Sequence, residues 1–342
     1  GRLAQVAFRY GLCTCEALVS SAAVTVEAYD SQAALSPRGV GGSVGTNASF
    51  SAQSPVSIAG SLISGGGVVV NACTVGADLR SGASFSANST ASIGGNAQVN
   101  GDLIAGGSLT IKGTLTYPST KTLSASSPSI GAVQRAPVSV APPCDCDAAS
   151  QVDVAGYLKT YQAMNDNARI GLGTGRLNNY TGGTTLSLPC GRYYLDRIAG
   201  TGPLTLSIGG RVALFVGGDI ALQDQLSVTL ADGAELDLFI GGTLISSATL
   251  ALGTPQTAAR LRIYVGGSGT INLAGVTNLS GNLYAPRAEL ASSSDMTITT
   301  AMKIRNEIQR MGTSVPNRLR VQVDVYMLRK SGEESATLSL RT

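Results

Sequence analysis

One repeated motif constrains the fold more than any other feature of the sequence. Residues 213–218, 237–242 and 262–267 read ALFVGG, DLFIGG and RIYVGG, so an aromatic residue lies between two aliphatic residues and a Gly-Gly pair follows. With two weaker copies, the aromatic positions are 21, 24, 25 and 20 residues apart: Tyr194, Phe215, Phe239, Tyr264 and Tyr284. Repeats of about 20–45 residues stack into solenoids. The sequence therefore predicts an all-β fold, a parallel β-helix (solenoid) in which each repeat forms one coil.

Alternation along each strand assigns the two faces, because neighbouring side chains of a strand point to opposite sides. One face is aliphatic throughout and must line the interior: Val212, Leu214, Val216, Leu236, Leu238, Ile240, Leu261, Ile263 and Val265. The five aromatic residues fall on the opposite face and form a predicted outer aromatic ladder. A charge ladder accompanies it, with Glu235 between Arg211 and Arg260. In the same ladder, Asp237 neighbours Arg262.

A second, slimmer array is predicted between residues 43 and 116. Residues 60–66 (GSLISGG) reappear as residues 101–107 (GDLIAGG), with an intermediate copy at residues 76–82. The side chains are smaller than in the first array. We expect glycines at the corners of these coils, where they take the positive φ that other residues avoid.

Between the arrays, the chain is predicted to form an irregular junction and one helix. Residues 117–147 are rich in Pro and Ser, a composition typical of extended segments. Asp147 is a candidate N-cap for a helix that runs to about residue 165. Its apolar stripe has helical spacing: Val154, Leu158, Tyr161 and Met164. The helix either caps an end of the solenoid or lies over the aromatic ladder.

The C-terminal segment is more basic than the rest of the chain. From Lys303 onward it has eight Lys or Arg residues against four Asp or Glu residues. Residues 301–311 are predicted to form a helix, and a β-hairpin follows. Alternate residues of its first strand are apolar: Leu319, Val321, Val323, Val325 and Met327. This candidate assembly strand either adds to the sheet of a neighbouring molecule or caps the last coil of its own chain.

These observations divide the sequence into six segments. Residues 1–42 are an N-terminal segment and cap, and residues 43–116 are the glycine-rich array. The others are the junction (117–147), the helix (148–168), the main solenoid array (169–300) and the basic C-terminal helix and hairpin (301–342).

Cysteine usage favours an oxidising location. The chain has no histidine and six cysteines: Cys13, Cys15, Cys73, Cys144, Cys146 and Cys190. An even count without histidine favours disulfides over zinc, because mixed Cys/His sites are excluded. An all-thiolate metal site and free buried thiols stay open, and the sequence alone does not determine connectivity. The second Cys-x-Cys pair could tie the junction to Cys13 and Cys15. Disulfides would place the protein outside the reducing cytosol.

Composition argues against several classes of protein. The chain is 43% hydrophobic with a net charge of +3, whereas disorder requires low hydrophobicity and high net charge. A charge this small gives no indication of a nucleic-acid partner. No apolar run approaches the ~18 residues that a membrane span needs.

The acidic residues do not form a catalytic pattern. Without histidine, acid–base chemistry would depend on carboxylates, Lys, Arg or Tyr. Asp196, Asp219 and Asp237 lie at different positions relative to the nearest ladder aromatic, whereas solenoid polysaccharide lyases and hydrolases cluster such groups on adjacent coils. We predict no catalytic residues, no cofactor and no metal.

Several segments resemble an uncharacterised bacterial family of extracytoplasmic β-helix domains, found beside type IV pilus proteins and in myxobacterial surface proteins. The segments are residues 190–195 (CGRYYL), 215–219 (FVGGD), 282–288 (NLYAPRA), 26–31 and 43–47. The similarity covers about residues 13–300 and implies a secreted β-helix without established enzymatic activity. After Met296 the chain departs from the family pattern, which continues with another short coil. A looser likeness links the chain to bactofilins, cytoplasmic β-helices that polymerise end to end, although bactofilins are short and poor in cysteine.

The sequence therefore predicts a non-catalytic, extracytoplasmic structural protein of bacteria. Its expected partner is itself, in a homo-oligomer or fibre, or a surface appendage. One alternative is an adhesin or glycan-binding module that uses the outer aromatic ladder, and a third is a polysaccharide-degrading β-helix enzyme. Assembly predicts that a neighbour buries the C-terminal strand, whereas glycan binding predicts exposed, coplanar aromatic rings.

Overall fold

The chain is mostly β, with strands stacked in parallel as a β-solenoid and one short α-helix in the middle, which confirms the predicted fold class. It divides into two compact units. Unit 1 comprises Gly1–Cys146 with Arg318–Thr342, and unit 2 comprises Asp147–Asn317. The computed structural model describes residues 10–21, 23–29, 37–38, 42–292, 296–299, 302–309 and 318–324.

Short strands dominate unit 1. In three-residue strands such as Val68–Val70, the outer two residues point inward and are buried, while the middle residue, Val69, is half exposed. The strands are β1 (Leu12–Thr14), β2 (Leu18–Ser20), β3 (Ala23–Tyr29), β4 (Pro37–Arg38), β5 (Val44–Thr46), β6 (Phe50–Ala52), β7 (Val56–Ile58), β8 (Leu62–Ser64), β9 (Val68–Val70), β10 (Cys73–Val75), β11 (Leu79–Ser81), β12 (Phe85–Ala87), β13 (Ala91–Ile93), β14 (Ala97–Val99), β15 (Leu103–Tyr117) and β16 (Leu123–Arg135).

Every third strand of unit 1 pairs in parallel, so each coil has three sides. Val44 pairs with Leu62, Leu62 with Leu79, and Leu79 with Ala97, which places ladder partners 17 or 18 residues apart. The predicted array is present, but its three sequence copies do not share one side, because Leu103 pairs with Phe85. Strands on all three sides recur about every six residues and look alike, so comparing copies cannot distinguish the sides.

Crowding explains the glycine corners of unit 1. A Cβ atom on Gly65 would run into the carbonyl oxygen of Asn47 in the preceding coil, and one on Gly82 would run into that of Gly65. Neither glycine has a positive φ, so the expectation about φ is wrong at these corners. Glycine is needed there because the coils approach too closely for any side chain.

Unit 2 contains wider coils and the helix. The helix α1 is Val154–Ala163, and three 3-10 turns are Ala148–Ser150, Asn167–Ile170 and Pro255–Arg260. The strands are β17 (Tyr180–Thr181), β18 (Thr184–Leu188), β19 (Gly191–Leu195), β20 (Ile198–Thr201), β21 (Leu204–Ile208), β22 (Arg211–Val216), β23 (Ile220–Leu222), β24 (Leu226–Leu230), β25 (Glu235–Ile240), β26 (Leu244–Ser246), β27 (Leu250–Leu252), β28 (Leu261–Val265), β29 (Ile271–Leu273), β30 (Thr277–Ser280), β31 (Asn282–Ser292), β32 (Met296–Thr299) and β33 (Met302–Gln309).

The register of unit 2 agrees with the sequence motif. Strands β19, β22, β25, β28 and β31 stack on one side, and Tyr194, Phe215, Phe239, Tyr264 and Tyr284 are successive partners. The aliphatic residues that alternate with them line the core, where Leu214 and Leu236 are fully buried. Local alternation therefore predicts both faces of this sheet correctly.

The central helix is shorter than predicted. Asp147 caps only the 3-10 turn, where its Oδ1 accepts a hydrogen bond from the N–H of Ala149 at 3.0 Å. The α-helix begins after Asp153, whose Oδ1 accepts from the N–H of Gly156 at 2.9 Å. Met164, assigned to the buried stripe, lies just past the helix and is 59% exposed.

The predicted C-terminal helix is wrong. Residues 302–309 form β33, which pairs in parallel with β31, with Leu283 opposite Met302 and Ser292 opposite Gln309. Apolar residues at positions 302, 304 and 308 have the two-residue period of a strand. Stacking on the preceding coil selects the extended conformation.

The candidate assembly strand lies in unit 1. Strand β34 (Arg318–Asp324) pairs in parallel with β3, with Val24 opposite Leu319 and Val26 opposite Val321. Val323 lies in the same strand, whereas Val325, Met327 and the rest of the predicted hairpin lie outside the described residues. In this structure the strand adds to a sheet of its own chain.

Candidate functional site

Three rings of the aromatic ladder of unit 2, those of Phe215, Phe239 and Tyr264, stack on one another. The ring centroids of Phe215 and Phe239 are 4.9 Å apart with planes 13° from parallel, and those of Phe239 and Tyr264 are 4.8 Å apart at 12°. Tyr284 continues the ladder at 6.1 Å in a tilted orientation. Tyr194 is in register with Phe215, and its hydroxyl lies beside Gly217. The parallel register of the coils produces this stack.

Helix α1 covers the ladder with two further rings. Tyr161 stacks on Phe215 with centroids 4.4 Å apart, and Tyr157 packs against Phe239 at 5.4 Å. The N–H of Val152, just before the helix, donates a 3.1 Å hydrogen bond to the hydroxyl of Tyr284. The apolar stripe predicted for this helix included Tyr161 but not Tyr157, although their spacing of four residues places both on one helix face.

The Gly-Gly pairs of the repeat make room for this helix. A Cβ atom on Gly266 would lie 2.8 Å from Cγ1 of Val154, and one on Gly241 would lie 2.9 Å from Cδ1 of Leu158. Val154 and Leu158 are the buried residues of the helix. The second and third copies of the motif therefore each supply one ring to the ladder and one glycine for the close approach of α1.

Burial of the rings bears directly on glycan binding. The five ladder residues are only 1–6% exposed. Burial also raises the pKa of the Tyr264 phenol, so this ring stays neutral at physiological pH. The ladder is an intramolecular helix-binding surface, and it offers no open row of rings to an external sugar chain.

The charge ladder differs from its prediction at one position. Arg211 is the register partner of Glu235, as predicted. On the other side, Arg262 contacts both acids: its Nε donates to Oδ1 of Asp237 at 2.5 Å and its Nη2 to Oε2 of Glu235 at 2.8 Å. Arg260 ends a 3-10 turn and lies 3.9 Å from Asp232 instead. The 3-10 turn directs Arg260 to Asp232, and Arg262 takes its place as the partner of Glu235.

Asn167 and Asp166 cover the free edge of β19 in the first coil of unit 2. They lie outside the repeats, so no repeated motif predicts their role. The side chain of Asn167 donates to the carbonyl of Tyr194 at 2.7 Å and accepts from its N–H at 2.9 Å. The N–H of Arg192 donates to Asp166 at 2.8 Å. This backbone hydrogen bond is the largest cause of the lowered pKa of Asp166. Both side chains thus imitate a neighbouring strand.

The two Cys-x-Cys pairs are joined in parallel. Cys13 bonds to Cys144 and Cys15 to Cys146, each across 131 residues of sequence. Asn47 reinforces this join, because its amide exchanges two 2.8 Å hydrogen bonds with the backbone of Cys144. The first coil of unit 1 is therefore fastened to the end of the junction. Two disulfides fit an oxidising, extracytoplasmic setting.

The remaining two cysteines are free and differ in reactivity. Cys73 is buried, and burial raises its pKa to about 12, while Cys190 is exposed. Because the thiolate is the reactive form, we expect a maleimide to label Cys190 in the native protein and Cys73 only after denaturation. Mass spectrometry of labelled peptides measures this difference. A Cys190→Ser variant should stay unlabelled in the native state, and rapid native labelling of Cys73 would contradict the assignment.

The aspartates considered for catalysis have separate partners. Asp196 accepts from the hydroxyl of Thr174, and Asp219 accepts from the N–H of Thr243. Asp237 binds Arg262. Among the described residues, no group of three or more Cys, Asp or Glu side chains could hold a metal ion.

Residues 146–315 match a family described as a domain of unknown function (DUF7305). The match runs from just before the start of unit 2 to just before its end. It continues past Met296, where the sequence was expected to depart from the pattern of the family that it resembles. No curated protein and no solved structure matches the chain. Within the described residues, no helix is long and apolar enough to cross a membrane.

Proposed function

We propose that this protein is a non-catalytic structural subunit of a bacterial cell-surface or secreted assembly, in which copies of the chain associate with one another. The last coil of unit 1 carries the proposal, because it presents a free strand edge and incompletely covered core positions. The two disulfides support an extracytoplasmic location.

The inward positions of β16 continue the core columns of β15 but are not covered. Leu115 is fully buried, whereas Val133, its partner in the last coil, is 53% exposed. Leu123 and Ile130 are half-buried. At one corner, the guanidinium of Arg135 lies 3.8 Å from the ring centroid of Tyr117 and partly covers it. The rest of the coil ends in open apolar surface.

The backbone of β16 is also available along one edge. The strand pairs with β15, and no strand in the described part of the chain pairs with its other edge. The N–H of Leu103 donates to the carbonyl of Thr122, so the alternation of a parallel ladder turns the amides of Leu123 and Ala125 toward the free edge. Pro128 interrupts the edge, because it has no N–H. Pairing would use the stretches on either side of it.

A second copy is the occupant that fits this edge best. Its coil has the same three sides and the same strand spacing. At the opposite end of unit 1, β3 is already paired on both edges, with β7 and β34. The open ends of two copies would therefore meet each other about a two-fold axis, with antiparallel strands, as in other isologous contacts. Fibre growth would need a second contact in addition to this one.

Sedimentation velocity of the full chain with two valine variants tests the proposal. Lysine on an edge opposes strand addition, so Val133→Lys is expected to weaken self-association at least tenfold. Val69→Lys is the matched control, since Val69 is 50% exposed in the middle of a side, and it should leave association unchanged. A wild-type chain that stays monomeric up to about 1 mM, or equal effects of both variants, would contradict the proposal.

Electron microscopy of the full chain and of a chain truncated after Thr300 locates the contact independently. Assemblies that are the same in both samples and that Val133→Lys abolishes in both support the β16 end of unit 1 as the contact. The valine variant is needed because truncation also removes β34 and uncovers the edge of β3. Loss of assembly only on truncation would instead assign it to the C-terminal strand. The adhesin alternative has no support from the ladder, whose rings are buried, and no observation favours a polysaccharide-degrading enzyme.

A further inference from the structure

A polar groove lies on one side of unit 1 and ends at the last coil, where Gln134 belongs to β16. It has a volume of about 220 Å³ and crosses four successive coils. Its floor is one column of outward-pointing residues in ladder register: Arg80, Gln98, Thr116 and Gln134. Coils in such a ladder are about 4.8 Å apart. The groove therefore presents one polar side chain per coil at a regular interval.

The wall of the groove is held in place by its own hydrogen bonds. Oδ1 of Asp78 accepts from the N–H of Asn96 at 2.8 Å, and Oδ1 of Asn96 accepts from the N–H of Thr114 at 2.9 Å. These bonds join successive coils and fix the corner. The wall residues thus have a structural role, and each keeps one further polar atom.

The floor residues have no such role. Within the described residues, the side chains of Arg80, Gln98 and Gln134 make no hydrogen bond or ion pair. Arg80 and Gln134 are exposed and Gln98 is partly buried. An amide offers two donors and an acceptor, and a guanidinium offers a planar pair of donors that matches a carboxylate. Groups of both kinds are available for a ligand.

We propose that this groove binds an acidic glycan, with a uronic-acid carboxylate on Arg80 and sugar hydroxyls on Gln98, Thr116 and Gln134. A sugar hydroxyl can donate one hydrogen bond and accept another, as a side-chain amide can. The length of one sugar residue in an extended glycan is close to the spacing between coils, so successive sugars can face successive coils. Arg80 is the single cation of the groove lining and Asp78 is its single anion. The lining therefore suits one carboxylate held on Arg80 among neutral hydroxyls, and not a phosphate backbone. The strands that carry Arg80, Gln98 and Thr116 are paired on both edges, so a peptide cannot add as a strand at these positions. The free edge is that of β16, at the end of the groove.

Titration calorimetry on the full chain tests this proposal with hexasaccharides of galacturonate, mannuronate and hyaluronan. At least one should bind, and Arg80→Gln should weaken it about tenfold or more, because a charge-assisted bidentate contact is lost. Gln98→Ala should weaken binding about three- to tenfold. Lys159→Gln is the matched control for removing one positive charge, because Lys159 is an exposed residue of helix α1 in unit 2. This variant should leave the affinity for the hexasaccharide unchanged.

The methyl ester of the bound hexasaccharide tests the carboxylate assignment. Weaker binding of the ester supports the role of Arg80, whereas equal binding overturns it. Failure of all three acidic glycans to bind, or binding that Arg80→Gln does not alter, overturns the site itself. Self-association measured on the same variants should be unchanged, so this inference and the proposed function can fail separately.

Discussion

Removal of both disulfides is expected to lower the free energy of unfolding of unit 1 by about 5 kcal/mol, because either bond closes a loop of 131 residues. Removing one pair should cost much less, about 1–2 kcal/mol, since the other pair still closes almost the same loop. Alanine at Cys13 and Cys144, at Cys15 and Cys146, and at all four positions gives the three variants. Their effects should therefore be strongly non-additive.

Urea unfolding followed by far-UV circular dichroism measures these differences, and hydrogen exchange of peptides from residues 42–135 assigns them to unit 1. Cys190→Ser is the control, because Cys190 is exposed and unpaired with any cysteine. If the free energy of unfolding of the four-alanine variant lies within about 1 kcal/mol of the wild-type value, the non-covalent contacts of the coils are sufficient to hold the junction. Additive effects of the two pairs would contradict the loop-closure explanation.

Gly266→Val is expected to detach the first turn of helix α1 from the ladder. The new side chain would occupy the position of Val154, whereas the nearest atom of its own sheet, the carbonyl oxygen of Ile240, is 3.5 Å away. Overpacking and lost burial together should cost about 3 kcal/mol locally. Amide hydrogen exchange in residues 154–163 should accelerate about 100-fold.

A matched control and a compensating change make this test specific. Gly269→Val places the same side chain in open space, with the nearest atom, Cβ of Thr243, 3.8 Å away, and should leave exchange of the helix unchanged. Val154→Ala combined with Gly266→Val should recover part of the protection. Unchanged exchange in Gly266→Val would mean that the glycine groove does not position the helix.

A detached helix would also expose the ladder. Because Phe215 and Phe239 stack beneath Tyr161 and Tyr157, their burial depends on a segment more than 50 residues away in sequence. The repeat motif alone does not distinguish a ladder that binds sugar from one that binds a helix.

Local patterns were sufficient for the coils of unit 2. Each strand carries its own two-residue alternation, and the repeated aromatic–aliphatic–Gly-Gly motif aligns one coil with the next. Register and faces follow from these two facts. The pairing of Asp237 with Arg262 was predictable for the same reason. The sides of unit 1 could not be assigned from the sequence. Its strands recur about every six residues, and no residue type distinguishes the strands of one side from those of another.

The amino-acid sequence is sufficient to predict the parallel solenoid, the aliphatic core of unit 2 and the register of its aromatic ladder, since all three depend on contacts between equivalent positions of successive coils. The folded chain was needed to show that α1 covers the ladder, that Asn167 covers the edge of β19, and that residues 302–309 form a strand. Each of these depends on one unique contact between dissimilar segments. Such contacts do not recur along the sequence, so no repeat predicts them. They form because folding brings a complementary surface of another segment against each of these segments.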